Sequence, residues 1–267
     1  TTTTTMSKNS NDNPVYLTYH EATIYKNDLH FLNDGAWLND HIILFMYEYL
    51  NYNVKYQEII DKICLCHPMN TMLLQYGDME DLSDISNSLK FSEKEYIFIP
   101  VNNASYGEFS QNGTHWALIL VDFQSKTFLI YDSMGKGSSA TKNSLQTIKN
   151  LSKLIDPKNE FSTIEVNVPR QKNGYDCGMY CICFSEIILD ALLLLLCRNS
   201  KSNNDKNEVD NNNNNAVVDD SNNLKNTNDL MYIDEIYLKT NCTPQHITTS
   251  RKRFRNLIDE LRGRGGD

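Results

Sequence analysis

From Gly178 to Cys197 the chain is apolar almost without interruption, and this run limits the possible folds more than any other feature. A run of that length belongs either in a bilayer or in a protein core. Glu186 and Asp190 lie near its middle, and an Asp at the centre of a membrane helix costs roughly 2.5–3.5 kcal/mol on insertion scales. A long buried core helix is therefore expected, and no membrane span. Gly174-Tyr175-Asp176-Cys177-Gly178 leads into it as a glycine-bearing loop, which puts Cys177 at the helix N-terminus. There the unpaired N–H groups and the macrodipole stabilise a thiolate. Cys181, Cys183 and Cys197 fall inside the helix and read as small core hydrophobes.

The 267 residues suit one domain or at most two. With 25 basic against 34 acidic residues the formal charge is −9, which argues against nucleic acid as the main partner and permits one with a basic face. Seven cysteines are an odd number, and no signal peptide opens the sequence. Reduced thiols in a cytoplasmic or nuclear protein are the expectation. Residues 1–13 read as a disordered tail. Residues 199–229 hold thirteen asparagines and no aromatic residue; such a segment cannot bury enough apolar area to offset its ordering entropy. It is read as a disordered insertion within a single domain made of residues 14–198 and 230–262.

Asn39 and Asp40 can cap a helix whose apolar stripe is Ile42, Ile43, Phe45, Met46, Tyr49 and Leu50. Glu95–Val101 reads as a strand, and His115–Phe123 with Lys126–Ser133 as a hairpin turning at Gln124 and Ser125. Helix is expected over Leu145–Ile155, strand over Ser162–Val168, and a short cationic helix over Arg251–Leu261. Strands gathered mid-chain with helices on both sides imply an α+β domain.

Pairing Phe123 with Lys126 sets Asp132 opposite Ala117 and makes His115 its diagonal neighbour on one face, roughly 7–8 Å away along the backbone. From there the carboxylate can accept the Nδ1 proton of His115 and leave Nε2 as a base. A loop one residue different would put the two on opposite faces, and spacing alone also fits a strand-edge histidine beside a turn aspartate. Cys177 adds the missing partner, since a thiol beside that imidazole would form a thiolate–imidazolium pair able to attack a carbonyl carbon. Gln171, six residues before Cys177, could donate to the oxyanion of a tetrahedral intermediate.

Trp37-Leu38-Asn39-Asp40-His41-Ile42, Gly113-Thr114-His115-Trp116-Ala117-Leu118, Tyr131-Asp132-Ser133 and Gln171-Lys172-Asn173-Gly174-Tyr175-Asp176-Cys177-Gly178-Met179-Tyr180 resemble the ubiquitin-like-protein proteases, the Ulp or sentrin-specific cysteine proteases. The order His, Asp, Gln, Cys is that family's order. The resemblance extends from about Val15 to Arg198 and resumes in the C-terminal helix. It implies a papain-like, adenain-like fold with a central, mostly antiparallel sheet flanked by helices, and cleavage after a Gly-Gly tail. It assigns His115 as base, Asp132 as its orienter, Cys177 as nucleophile and Gln171 as oxyanion donor. It also places Trp37 and Trp116 along a narrow tunnel for the tail, with Asp40 hydrogen-bonding nearby. Flat indole walls can close over glycines and exclude bulkier pairs. The chain departs from the family pattern in the loop Asn102–Asn112 and in the 199–229 insertion.

The partner implied is a ubiquitin-like modifier, the neddylation modifier first, together with conjugates such as cullins. The protease is expected to work as a monomer without cofactor. A protease for the SUMO modifier shares every one of these residues, and the same His–acid–Cys set serves acyltransferases, although no basic or glycine-rich coenzyme A signature is present. Cys64, Cys66 and His67 lack a second knuckle for zinc, so no metal is expected. Gly135-Lys136-Gly137-Ser138 lacks the phosphate-loop frame and reads as a flexible turn that opens no helix. Arg251-Lys252-Arg253 with Arg255 reads as a solvated cationic face or a nuclear signal.

Overall fold

The computed structural model describes residues 13–104, 113–205 and 238–265. The tail 1–12, most of the asparagine-rich segment, and residues 105–112 of the Asn102–Asn112 loop lie outside the described residues.

Five strands form the central sheet: β3 (Ile63–Leu65), β4 (Tyr96–Asn102), β5 (Trp116–Asp122), β6 (Thr127–Tyr131) and β7 (Ser162–Glu165), side by side in that order. A separate hairpin, β1 (Val15–Tyr19) with β2 (Ala22–Tyr25), precedes them. The sheet is antiparallel at its centre, β4–β5 and β5–β6, and parallel at both edges, β3–β4 and β6–β7. Parallel neighbours need long crossovers. Helices α2 (Pro68–Tyr76) and α3 (Met79–Ser88) make the first, and α4 (Ser139–Ile155) makes the second.

Both sheet faces are covered, which is why β5 is buried along its whole length and reads as a continuous apolar run. Phe98, Leu118, Leu120, Leu129 and Tyr131 face a core shared with α1 (Asp40–Asn51) and α5 (Cys177–Asp205). Ile97, Ile99, Val101, Ile119, Val121, Phe128 and Ile130 face the other core, with Leu74, Leu82, Ile148 and Leu151 from α2, α3 and α4. By length and composition Cys177–Leu195 could cross a membrane, but 72% of it is buried inside the protein.

Asn39 caps α1 by accepting from Ile42 N at 3.1 Å, and the expected stripe is buried except Tyr49, which is half-buried and packs against the core. The hairpin register is the expected one: Leu118 pairs Tyr131 and Asp122 pairs Thr127. Asp122 Oδ1 holds the turn by accepting from Gln124 N and Ser125 N.

Several boundaries differ from expectation. Ser138 caps α4 by accepting from Thr141 N, so the Gly135–Ser138 turn does open a helix, one turn and more ahead of Leu145. Helix α5 continues to Asp205, into the segment assigned to the insertion. Helix α6 runs from Pro244 to Arg264, longer at both ends than expected, because Thr243 accepts from His246 N and Pro244 occupies the first turn. Its arginine run is a solvated face only in part: Lys252 and Arg253 are exposed and Arg255 is half-buried, although Arg253 donates to Glu186, whereas Arg251 is 3% exposed and turns toward the segment before α1.

Candidate active site

His115 immediately precedes β5 and Asp132 immediately follows β6, so the hairpin brings both to one end of the sheet. Helix α5 starts at Cys177 and packs on the sheet face to which Leu118 and Tyr131 contribute. Three sequence-distant stretches thus converge at one point. The residue after the cysteine must be small there: a Cβ on Gly178 would lie 2.8 Å from Leu38 Cβ, so glycine lets the start of α5 meet the loop carrying Trp37.

The imidazole is turned the opposite way from expectation. His115 Nε2, not Nδ1, donates to Asp132 Oδ1, at 2.8 Å. The distal nitrogen spans the strand-to-strand diagonal, and the proximal Nδ1 is left for the sulfur. Burial pushes the His115 ring down. The Asp132 hydrogen bond, the Cys177 hydrogen bond and the charges of both outweigh burial and carry it from 6.5 up to about 9. The charged imidazole is thereby favoured at neutral pH, which is the form a thiolate–imidazolium pair requires.

Asp132 is only 5% exposed, yet it is held by several donors. Met134 N reaches Oδ1 at 2.8 Å, Thr141 Oγ1 reaches Oδ2 at 2.8 Å, and Ser138 Oγ also donates to Oδ2. Burial pushes this carboxyl up, but the His115 bond first, then Ser138 and Thr141, hold it below the usual carboxylate range. Sequence reasoning missed Ser138 and Thr141. The turn reads as opening no helix, and nothing in its local sequence says that a cap there also braces an acid. Asn103 was missed too: its Oδ1 accepts from Thr114 N at 2.7 Å and His115 N at 2.9 Å, fixing the backbone of the histidine.

A Thr141→Val protein keeps the shape and loses one bond to a charged acceptor, which is worth about 1.5–3 kcal/mol. Because the Asp132 carboxyl is depressed in the fold, that loss is expected in full above the carboxylate range. It fades as the pH falls through the folded value and Asp132 takes up a proton. Urea unfolding of both proteins at pH 7 and at pH 3 measures the difference; an equal gap at the two values would contradict it.

Cys177 is 1% exposed, with Sγ 3.9 Å from Thr114 O. With His115 and Asp132 also buried, charges within the site interact more strongly than in water. Gln171 does not point freely into the cleft. Its Oε1 accepts from Ser133 Oγ at 2.6 Å and its Nε2 donates to Asn173 O at 2.6 Å, which leaves one amide N–H to offer. Trp37 is half exposed, and its indole N–H donates to Gly174 O at 2.6 Å, just ahead of the cysteine. Trp116 is 3% exposed and donates to Leu38 O at 3.1 Å. It props the Trp37 loop from beneath and offers no open wall, because its position at the start of β5 turns the ring into the core. Asp40 is buried in the first turn of α1, where a carboxylate complements the helix N-terminus. Buried Asp28 steadies that entrance by accepting from Asn39 Nδ2 at 2.7 Å and pairing with His41 Nδ1 at 3.0 Å.

The sequence profile described as the Ulp1 protease family, C-terminal catalytic domain, matches residues 36–227. Sentrin-specific protease 8 of Mus musculus is 29% identical over 181 residues, 67% of this chain and 80% of that protein. NEDD8-specific protease 1 of Arabidopsis thaliana is 28% identical over 184 residues, 68% of this chain and 78% of that one. Among solved structures, a de-sumoylating protease superposes over 90% of this chain and 87% of its own with a TM-score of 0.59 at 17% identity. At that identity the likeness speaks for the fold alone, which is the expected α+β protease fold. With the profile spanning most of the chain, the protein belongs to the Ulp1 cysteine protease family.

Proposed function

We propose that this protein is a protease and isopeptidase that cleaves after the C-terminal Gly-Gly of a ubiquitin-like modifier, and that the modifier is NEDD8. The observation that supports the reaction is buried His115, whose Nε2 bonds Asp132 Oδ1 at 2.8 Å, with Cys177 among the groups that raise the ring. In this reading the Cys177 thiolate attacks the carbonyl carbon of the last glycine. The first-turn N–H groups of α5 and the remaining Gln171 amide proton receive the oxyanion. His115 gives its Nδ1 proton to the departing lysine amine, and the C–N bond breaks to leave a thioester. Water then attacks with His115 as base, frees the modifier carboxylate and restores the thiol. Asp132 holds the ring throughout.

Cys177 is buried, so in this reading a tail without side chains reaches it as the Trp37 loop moves aside. The choice of NEDD8 rests on the relatives named for it, together with the sentrin-specific protease 8 proteins. A SUMO protease is the second reading, favoured by the likeness to sentrin-specific protease 2 of Pongo abelii, 27% identical over 176 residues. The protein would act as a monomer, in cytoplasm or nucleus, on precursors and on conjugates such as cullins.

Tail-reactive probes built on NEDD8, SUMO and ubiquitin test this directly. Labelling of Cys177 by the NEDD8 probe at least tenfold faster than by the other two is the expected result. Faster labelling by the SUMO probe would transfer the assignment, and none by any probe would remove it.

A further inference from the structure

Arg251 lies on α6, far in sequence from the cysteine loop, and is 3% exposed. Its guanidinium is committed on every side. Nε and Nη2 donate to Asp176 Oδ1 at 3.0 and 2.7 Å. Nη2 also reaches Ala36 O at 2.8 Å and Tyr175 O at 3.3 Å, and Nη1 reaches Phe31 O and Asn33 O, each at 3.1 Å. These acceptors fall in two groups. Tyr175 and Asp176 are the two residues before Cys177, and the Asp176 carbonyl accepts from Tyr180 N in the first turn of α5. Phe31, Asn33 and Ala36 form the segment that ends at Trp37, whose indole N–H in turn meets Gly174 O.

We propose that Arg251 is a positioning residue of the active site, one planar fork that fixes the loop ending in Cys177 against the loop ending in Trp37. The proposal rests on the reading of Cys177 as nucleophile. Stability alone does not call for such a residue, because a buried ion pair gives little over well-packed apolar side chains. Five N–H groups in a rigid plane are what two converging loops of carbonyls require, and a lysine ammonium cannot reproduce them. The same fork neutralises Asp176, the carboxylate directly before the cysteine, so that a thiolate at Cys177 has no unpaired negative neighbour on its own loop. The C-terminal helix thus sets the geometry of a cleft to which it contributes no reacting group.

Arg251→Lys in the full chain keeps the charge beside Asp176 and loses the fork. It is expected to melt cooperatively, to show acrylamide quenching of Trp37 raised about twofold, and to cleave a tail substrate about 10–100-fold more slowly, as small misplacements of reacting groups do. Trp116 is the only other tryptophan and is buried, so quenching reports on Trp37. Arg251→Met is the second variant, and whichever of the two folds is read. Unchanged quenching or unchanged cleavage in a folded variant overturns the proposal, and so does loss of the cooperative melt in both, which would assign Arg251 to stability. The quenching arm needs no substrate. A wild-type protein that cleaves nothing would therefore sink the functional reading separately, by its own result.

Discussion

Replacing Cys177 by alanine is expected to lower tail cleavage by about 10⁶-fold, the scale on which loss of a covalent nucleophile acts, while the protein stays folded. The alternative carriers of the reaction are poor ones. Cys181 and Cys183 are buried within α5 and burial pushes both thiols well up, Cys181 by a further contribution from the nearby Cys177. Neither can supply a thiolate at neutral pH. Removing one sulfur from a buried site costs on the order of 1 kcal/mol, so the melt should move little. The variant should still bind the modifier but form no covalent adduct with a tail-reactive probe. The His115 titration, followed by the ring proton in NMR spectra, should fall from about 9, because Cys177 is one of the groups that hold it up. A Cys177→Ala protein that still released NEDD8 from a conjugate would refute the mechanism outright.

Asp132→Asn should cost about 10⁴ in kcat, the loss seen when an orienting carboxylate of this kind becomes an amide. Asparagine preserves the outline of the side chain but changes the electrostatics, since the carboxylate is the largest influence raising the imidazole. Two pH effects follow. In the wild type the group is raised from 6.5 to about 9, so its share of stability is fully present below pH 6.5 and is lost as the pH climbs through 9. In the variant that dependence should flatten. The basic limb of kcat/KM, set by loss of the imidazolium proton, should move from near pH 9 toward the ordinary histidine range. A variant whose basic limb stayed near 9 would show that Asp132 does not set the charge of the ring. Ser138 and Thr141 both donate to Asp132 Oδ2 and would meet a neutral amide in place of a carboxylate, so some loss of stability should accompany the loss of rate.

Much of this arrangement is legible in the one-dimensional chain. A two-residue turn between two apolar strands fixes which residues oppose, and a one-residue slip would turn every side chain to the other face. Hence Asp132 could be placed beside His115 before any coordinates. The Asn39 cap, the glycine after Cys177 and the apolar run beyond it likewise carry their own structural meaning. What failed was orientation and support. Which imidazole nitrogen meets the carboxylate depends on where α5 docks on the sheet. Ser138 reads as part of a turn that opens no helix; its cap is a local bond, whereas its second role requires Asp132 to lie against the same helix end. Arg251 reads as one more charge of a solvated run because charge in a sequence carries no record of what is packed over it.

The local chemistry of the chain therefore determined the pieces: a helix beginning at a cysteine and a hairpin of known register. Helical and strand periodicities are short-range properties, and they are written in neighbouring residues. Only the tertiary structure decided that Arg251 would join two loops, that Trp116 would turn inward, and that Nδ1 would be the nitrogen left for the sulfur. Each of these depends on contacts between segments far apart in the chain, fixed by which faces can be buried together.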